Sequence, residues 1–320
     1  MSKLQVAMYH YVRDLKNSRY PNIKGMDYQL FKEQIAFFKK EFNIVTMQDV
    51  IAAWNSKSAK DILPPNALLL TFDDGYIDNY TVVFPILMEN NIQGSFFIPG
   101  KTFNENVLLD VNKIHFLLAS ADINSLVQDV FYKLDSYRSD FPEVPSNDVL
   151  FDKYAIANRF DSKETIFVKR ILQTAIPEEL RNIVASELFK KYVGLSEDVF
   201  SRELYMNREQ IRCMKNAGMF IGIHGYDHYW LGNLSEEQMK KDIDQSLISM
   251  DEFIDKDKWV INYPYGSYND KVLEYIEQRG CKLAMTTEVN VANTEVHNRF
   301  LIPRLDCNDY PPKSQNYLKY

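Results

Sequence analysis

Two carboxylates stand side by side at Asp73-Asp74, directly before Gly75, and two imidazoles stand four residues apart at His224 and His228. Adjacent carboxylates repel, and the repulsion raises a pKa unless a cation neutralises one of them. A metal on one aspartate leaves the other free to act as a base. Imidazoles four apart can converge on one ion from a helical turn or a tight loop. Two histidines with one carboxylate are the ligand set of several catalytic zinc sites, with positions open for water and substrate. Asp and Gly also make ordinary turns, and single histidines are often structural. With five histidines in 320 residues, however, a chance pair at this spacing is rare, and the combination points to metal-assisted hydrolysis.

Three further groups could serve such a reaction. Tyr263-Pro264-Tyr265-Gly266 reads as a rigid turn that could set a backbone N–H against a developing oxyanion. Tyr226, Tyr229, Trp230 and Tyr268 could stack on sugar faces, although a tyrosine-rich core would look the same. His10, after a short apolar run, is either a structural histidine or a general acid for a leaving amine.

The elements around these residues alternate. Short apolar runs at 4–9, 43–46, 67–72, 94–98, 220–223, 259–263, 282–286 and 300–303 have the character of strands covered on both faces. Between them lie amphipathic stretches. Phe31, Ile35, Phe38 and Phe42 share one face. Asn207 with Gln210, and Ser235 with Gln238, are capping boxes, and Asn269 and Gly280 bracket another helix. Alternating β and α elements imply an α/β fold with parallel strands. Five of the runs end in polar groups: Tyr9-His10, Asp73-Asp74, His224 to His228, Asn262 to Tyr265, and Arg304 to Asp306. Functional residues of parallel α/β folds collect at that carboxyl end. Residues 104–205 break the rhythm and read as a mostly helical insertion, a site cap, an oligomerisation element or a surface excursion, in a single domain spanning 1–320.

Composition narrows the partners. The chain is 46% hydrophobic and 25% charged, with a net charge of −7 and no long basic run, so nucleic acid and anionic membranes are disfavoured. Three cysteines without C-x-x-C spacing suit reduced thiols. The first residues show no apolar signal-peptide core, and no stretch reaches the roughly 18 apolar residues of a membrane span. The expected location is cytoplasmic, unless an export signal has been trimmed away.

Thr71-Phe72-Asp73-Asp74-Gly75, His224-Gly-Tyr-Asp-His228 and Tyr263-Pro264-Tyr265-Gly266 together resemble the polysaccharide deacetylase family (the NodB-homology fold, carbohydrate esterase family four). The resemblance covers residues 3–101 and 206–306. It implies a distorted (β/α)7 barrel with the helical segment inserted. It implies that Asp74, His224 and His228 hold a divalent metal, zinc for preference, with cobalt, nickel or iron also suited to that ligand set. Asp73 would be the general base toward the attacking water, and the Tyr265 N–H would stabilise the oxyanion. The implied reaction removes an N-acyl group, acetyl before others, from an amino sugar in surface-glycan assembly, and a cytoplasmic chain would meet that sugar on a nucleotide or lipid carrier. Deformylation, O-acetyl ester or non-sugar amide hydrolysis, and glycan binding without catalysis are the alternatives. Tyr263, Pro264, Tyr226, Trp230 and Arg304 are the expected substrate contacts.

The chain departs from the family pattern at three places. Asn262 stands where an arginine is usual, and Arg304 is the candidate to replace it beside the base. Gly225 replaces a Ser or Thr. No C-terminal segment offers a catalytic histidine, since His297 falls in a loop. Tyr9-His10-Tyr11-Val12 is similar to the N-terminal segment that supplies the acid in the circularly permuted poly-N-acetylglucosamine deacetylases, which makes His10 the expected acid.

Overall fold

The computed structural model describes residues 3–55, 63–158 and 161–320. They form two compact units. One comprises Met1–Asp14, Gly25–Asn106 and Arg202–Tyr320, the other Leu15–Lys24 and Val107–Ser201.

The first unit is built on parallel strands. β1 (Lys3–Tyr9), β2 (Ala67–Phe72), β3 (Ser95–Ile98), β4 (Phe220–Ile223), β5 (Val260–Asn262) and β6 (Leu283–Met285) pair in that order. Ile302 then bridges Met285 in parallel, and β7 (Leu305–Asp306) pairs in parallel with Ala7 and Met8 of β1. The run 302–306 thus joins the sixth strand to the first and brings the sheet round on itself as a distorted seven-stranded barrel. The expected strand at 300–303 is displaced toward its C-terminus. Pro303 has no N–H to donate to a ladder, so only one bridge forms before it and the regular pairing begins at Leu305.

Side-chain alternation sorts these strands into two faces. Ala7, Tyr9, Leu68, Leu70, Phe72, Phe96, Ile98, Ile221, Ile223, Ile261, Ala284 and Leu305 share a cluster with Phe31, Ile35 and Phe38 of the helix Tyr28–Glu41 and with Met239 and Ile243 of the helix Glu236–Ser249. The opposite parity, Leu4, Val6, Ala67, Leu69, Phe97, Phe220, Val260, Leu283, Met285 and Ile302, forms a second cluster with Met47, Val50 and Ile51 of the helix Met47–Asn55. The first set faces the helical coat and the second lines the barrel. The coat helices start where their caps dictate. Asp27 accepts from the Gln29 N–H, Asn207 and Ser235 both close full capping boxes, and Asn269 accepts from the Val272 N–H. Phe31 and Phe38 are fully buried, and truncating either to Ala would cost about 3–5 kcal/mol.

The second unit is helical, with helices at Asp110–Ser120, Ile123–Tyr137, Asn147–Tyr154, Lys163–Arg170 and Glu178–Tyr192, and with Glu197–Leu204 leading out of it. Leu15–Lys24 belongs here because Tyr20 sets its ring edge against Phe116 (4.9 Å) and Phe200 (5.7 Å). Lys113 is buried and pairs with Asp110 (3.0 Å) and Glu197 (2.8 Å). The sequence reading assigned residues 15–24 to the barrel. That stretch has no periodicity of its own, and its partner lies about a hundred residues downstream. No helix among the described residues is long and apolar enough to cross a membrane.

Candidate active site

The barrel-facing parity carries the polar residues. Continuing each inward series past its apolar members leads from Leu4 and Val6 to His10, from Ala67 and Leu69 through Thr71 to Asp73, from Phe220 to His224, from Val260 to Asn262, and from Ile302 to Arg304. Five strand ends therefore aim one residue each into the same mouth, as the two-residue repeat of a strand requires. Apolar residues fill the barrel below them.

Asp74, His224 and His228 bring their ligand atoms within 4.8 Å of one another, and all three are buried. Both imidazole Nε2 atoms lie 3.3 Å from Asp74 Oδ1. That oxygen has no hydrogen-bond partner among the described residues, so the three atoms converge on a common point rather than bonding to one another. His224 Nδ1 lies 2.7 Å from the Asn262 carbonyl. A carbonyl can only accept, so Nδ1 carries the proton and the Nε2 lone pair faces the point of convergence. The other Asp74 oxygen accepts from the Tyr76 hydroxyl at 2.5 Å. Burial, then the charge of Asp74, pushes the Tyr76 phenol well up, which keeps it a donor. One imidazole lone pair and one anionic oxygen, both fixed from behind, with the second imidazole converging on them, fit a divalent cation. Tyr76→Phe should keep the fold, because the ring remains stacked on Tyr11 (3.9 Å between centroids). It should weaken zinc binding about 10-fold, as read by chelator competition.

The backbone is bent where these ligands sit. Among the described residues, six that are not glycine have positive φ; Asn66, Asn91 and Asn106 are asparagines, which tolerate it, and the others are Asp74 (φ 73), His228 (φ 57) and Tyr265 (φ 58). Each costs of order 1–3 kcal/mol, so the strain is concentrated at the candidate site. Gly75 follows Asp74 at φ 67, where an added Cβ would sit 2.7 Å from Ile98 Cγ2. The turn that aims both carboxylates inward therefore needs glycine.

Asp73 is held differently from Asp74. Its Oδ1 accepts from Asn262 Nδ2 (2.7 Å) and from one Arg304 nitrogen (3.0 Å), and its Oδ2 pairs with the other at 2.8 Å. Burial alone would raise its pKa, but the Arg304 charge, then that of His224, holds it below the ordinary value. Arg304 is 1% exposed and also donates to the Thr286 carbonyl (2.9 Å). The expectation that Arg304 touches substrate is thus corrected, because its buried guanidinium is spent on Asp73. Arg304 reaches Asp73 from the closing strand, and Asn262, in the place of the usual arginine, adds a second donor.

The remaining candidates separate. His10 is half-buried at the end of β1, near enough that its charge would lower both Asp73 and Asp74. His297 lies instead beside Asn293, which pairs with Lys3 at the start of β1, the far end of the strand. Tyr265 stacks on Trp230 (4.4 Å, 10°) and meets His228 edge-on (4.7 Å, 75°). Tyr226 is half-buried, with its hydroxyl on Glu105 and Asn104. Tyr263 is fully buried, its hydroxyl bonded to the Phe300 carbonyl (3.1 Å), and Pro264 is buried too. Neither offers the contact surface expected of it, because both pack in the core.

Sequence reasoning missed Tyr76 and Asp242. Asp242 lies 4% exposed in the helix Glu236–Ser249 and accepts from the Tyr226 and Asp227 backbone N–H groups, both at 3.0 Å. Its signal was present: Asp242 and Ser246 sit at helical spacing in the buried face that holds Met239 and Ile243. A carboxylate in such a stripe calls for a partner.

Comparison with known proteins bears on the family and the fold. A family model described as polysaccharide deacetylase matches residues 60–130 and 151–284. The curated Bacillus subtilis protein YxkH, whose name carries the polysaccharide deacetylase description, is 27% identical over 117 residues, 35% of this chain and 42% of its own length. The chain thus spans less than half the length of that curated relative. Among solved structures, the Streptococcus pyogenes deacetylase PplD has a TM-score of 0.59 at 16% identity, covering 99% of this chain and 97% of its own. IcaB from Ammonifex degensii has a TM-score of 0.53 at 17% identity, covering 99% and 97%. Identities this low establish the shared fold.

Proposed function

The chain belongs to the polysaccharide deacetylase family, a family of metal-dependent hydrolases, and from that premise we propose that it hydrolyses an N-acyl group, acetyl before others, from an amino sugar of a glycan. The observation that carries this reading is the pairing of two differently held aspartates. Asp74 faces two imidazoles, whereas Asp73 beside it is held as a carboxylate by Arg304 and Asn262. Glycan binding alone has no use for a fixed base next to a metal pocket.

Asp74, His224 and His228 would hold a divalent cation, with zinc proposed, and such an ion supplies Lewis acidity toward the acyl carbonyl and toward water. Asp73 then takes a proton from the attacking water as its oxygen bonds to the acyl carbon. Arg304 and Asn262 keep the carboxylate turned to receive it. The Tyr265 peptide N–H is assigned to the developing oxyanion. His10 gives its proton to the sugar nitrogen as the C–N bond breaks, and the products are a carboxylic acid and a free amine. Trp230, stacked on Tyr265, is the candidate sugar platform.

The test is metal content and acetate release on one preparation, with an N-acetylated glucosamine oligosaccharide as substrate. About one zinc per chain together with acetate release is expected, and His228→Ala should lose both. Zinc without acetate release would reject N-deacetylation of this substrate class. Zinc retained by His228→Ala would remove that residue from the ligand set.

A further inference from the structure

Asp242 is a buried carboxylate that the proposed reaction does not use. It shares the buried face of its helix with Met239, Ile243 and Ser246. Burial pushes its pKa up to about 6, while hydrogen bonds from the Asp227 and Tyr226 amides pull the other way. Those amides lie between the two histidines, and the Asp242 oxygens take one each, Oδ2 from Tyr226 and Oδ1 from Asp227.

The neighbouring backbone groups of the same loop are held as firmly. The Gly225 carbonyl accepts from the Ser246 hydroxyl (3.1 Å) and from the Gly100 N–H (3.1 Å), and the Tyr226 carbonyl accepts from the Lys101 N–H (3.0 Å). Four successive polar groups between His224 and His228 are therefore tied to elements outside the loop. Gly225 itself is at φ 68, and an added Cβ would stand 3.0 Å from Asp242 Oδ2. A side chain there would press on the carboxylate and be strained by the positive φ.

We propose that Asp242 is a positioning residue for the candidate metal site, clamping the backbone from Gly225 to Asp227 so that the imidazoles of His224 and His228 converge. It acts through the loop and touches neither ligand side chain. The inference rests on the reading of Asp74, His224 and His228 as a metal site. A carboxylate serves here because it presents two acceptors to two adjacent donors. An amide of the same shape offers one acceptor and turns its NH2 against the second N–H.

The experiment uses the full chain and zinc as the probe, with affinity read by competition against a chelator and the melting temperature of the metal-free protein measured alongside. Asp242→Asn should bind zinc at least about 10-fold more weakly than the parent. Ile243→Val, the next residue of the same helix, lowers core packing without touching the loop and should bind zinc as the parent does at a comparable loss of melting temperature. If Asp242→Asn does not fold, Gly225→Ala approaches the same clamp from the other side and should show the same loss. Zinc affinity within twofold of the parent in the folded variant, or an equal loss in Ile243→Val, overturns the proposal. A parent chain that takes up no zinc overturns the metal-site reading itself, an outcome distinct from a parent and an Asp242→Asn variant that bind alike.

Discussion

Asp73→Asn protein is expected to retain its zinc and to release acetate about 10²- to 10⁴-fold more slowly than the parent, the range that removal of a general base usually costs. The prediction separates the two aspartates. Asp73 is not among the three converging ligands, and its oxygens are occupied by Arg304 and Asn262. The amide keeps the shape of the side chain and one acceptor but cannot take the proton. It also leaves a buried guanidinium without its counter-charge, so the melting temperature should fall as well. Zinc content and turnover on the same sample keep the effects apart. Turnover within a few-fold of the parent would exclude Asp73 as the base, and loss of zinc would make it a ligand.

Arg304→Met should be the most disruptive single change in the barrel. Removing one partner of a buried ion pair costs about 3–5 kcal/mol because the other charge stays behind, and both groups are essentially inaccessible here. Turnover should fall about 100-fold, the scale of a base displaced by roughly an ångström. The pH dependence gives a sharper readout. In the parent, Arg304 outweighs burial and holds the folded-state pKa of Asp73 below its ordinary value. The stability this pair contributes is therefore present above the ordinary aspartate pKa, about 3.9, and is lost as pH falls through the lower folded value. In the variant burial prevails and the pKa rises, so the acidic limb of the rate profile should move to higher pH. A variant whose acidic limb does not move would show that Arg304 leaves the base unaffected.

Much of this site was legible before any coordinates. Asp73, Asp74, His224 and His228 carry their chemistry in residue type and local spacing, and capped periodic segments such as 208–216 and 236–249 need no tertiary information. The barrel strands were legible as short apolar runs, and the polar residues at their carboxyl ends marked the end of the barrel that holds the site. The rest depends on contacts distant in sequence. The family resemblance offered Arg304 as the replacement beside Asp73, but nothing local to Asn262 tells that both side chains hold that carboxylate, and nothing near Tyr20 announces Phe116. Tyr263 and Arg304 look as suited to a substrate groove as to a core; burial decides, and burial is a property of the whole fold. Turns were legible at Asp74-Gly75 and Tyr265-Gly266, but the left-handed backbone of Asp74, His228 and Tyr265 themselves was not, since it is fixed by tertiary packing.

The closing run 302–306 has a consequence for the order in which this protein comes together. Ala7 and Leu305 are neighbours across a strand pair although nearly the whole chain lies between them, so sealing the ring closes the longest loop available to the molecule. Arg304 travels on that run, whereas Asp74, His224 and His228 follow strands that lie earlier in the chain. Ring closure is thus also the step that gives Asp73 its counter-charge: until the last strand seats, the carboxylate proposed as the base lacks the guanidinium that holds it.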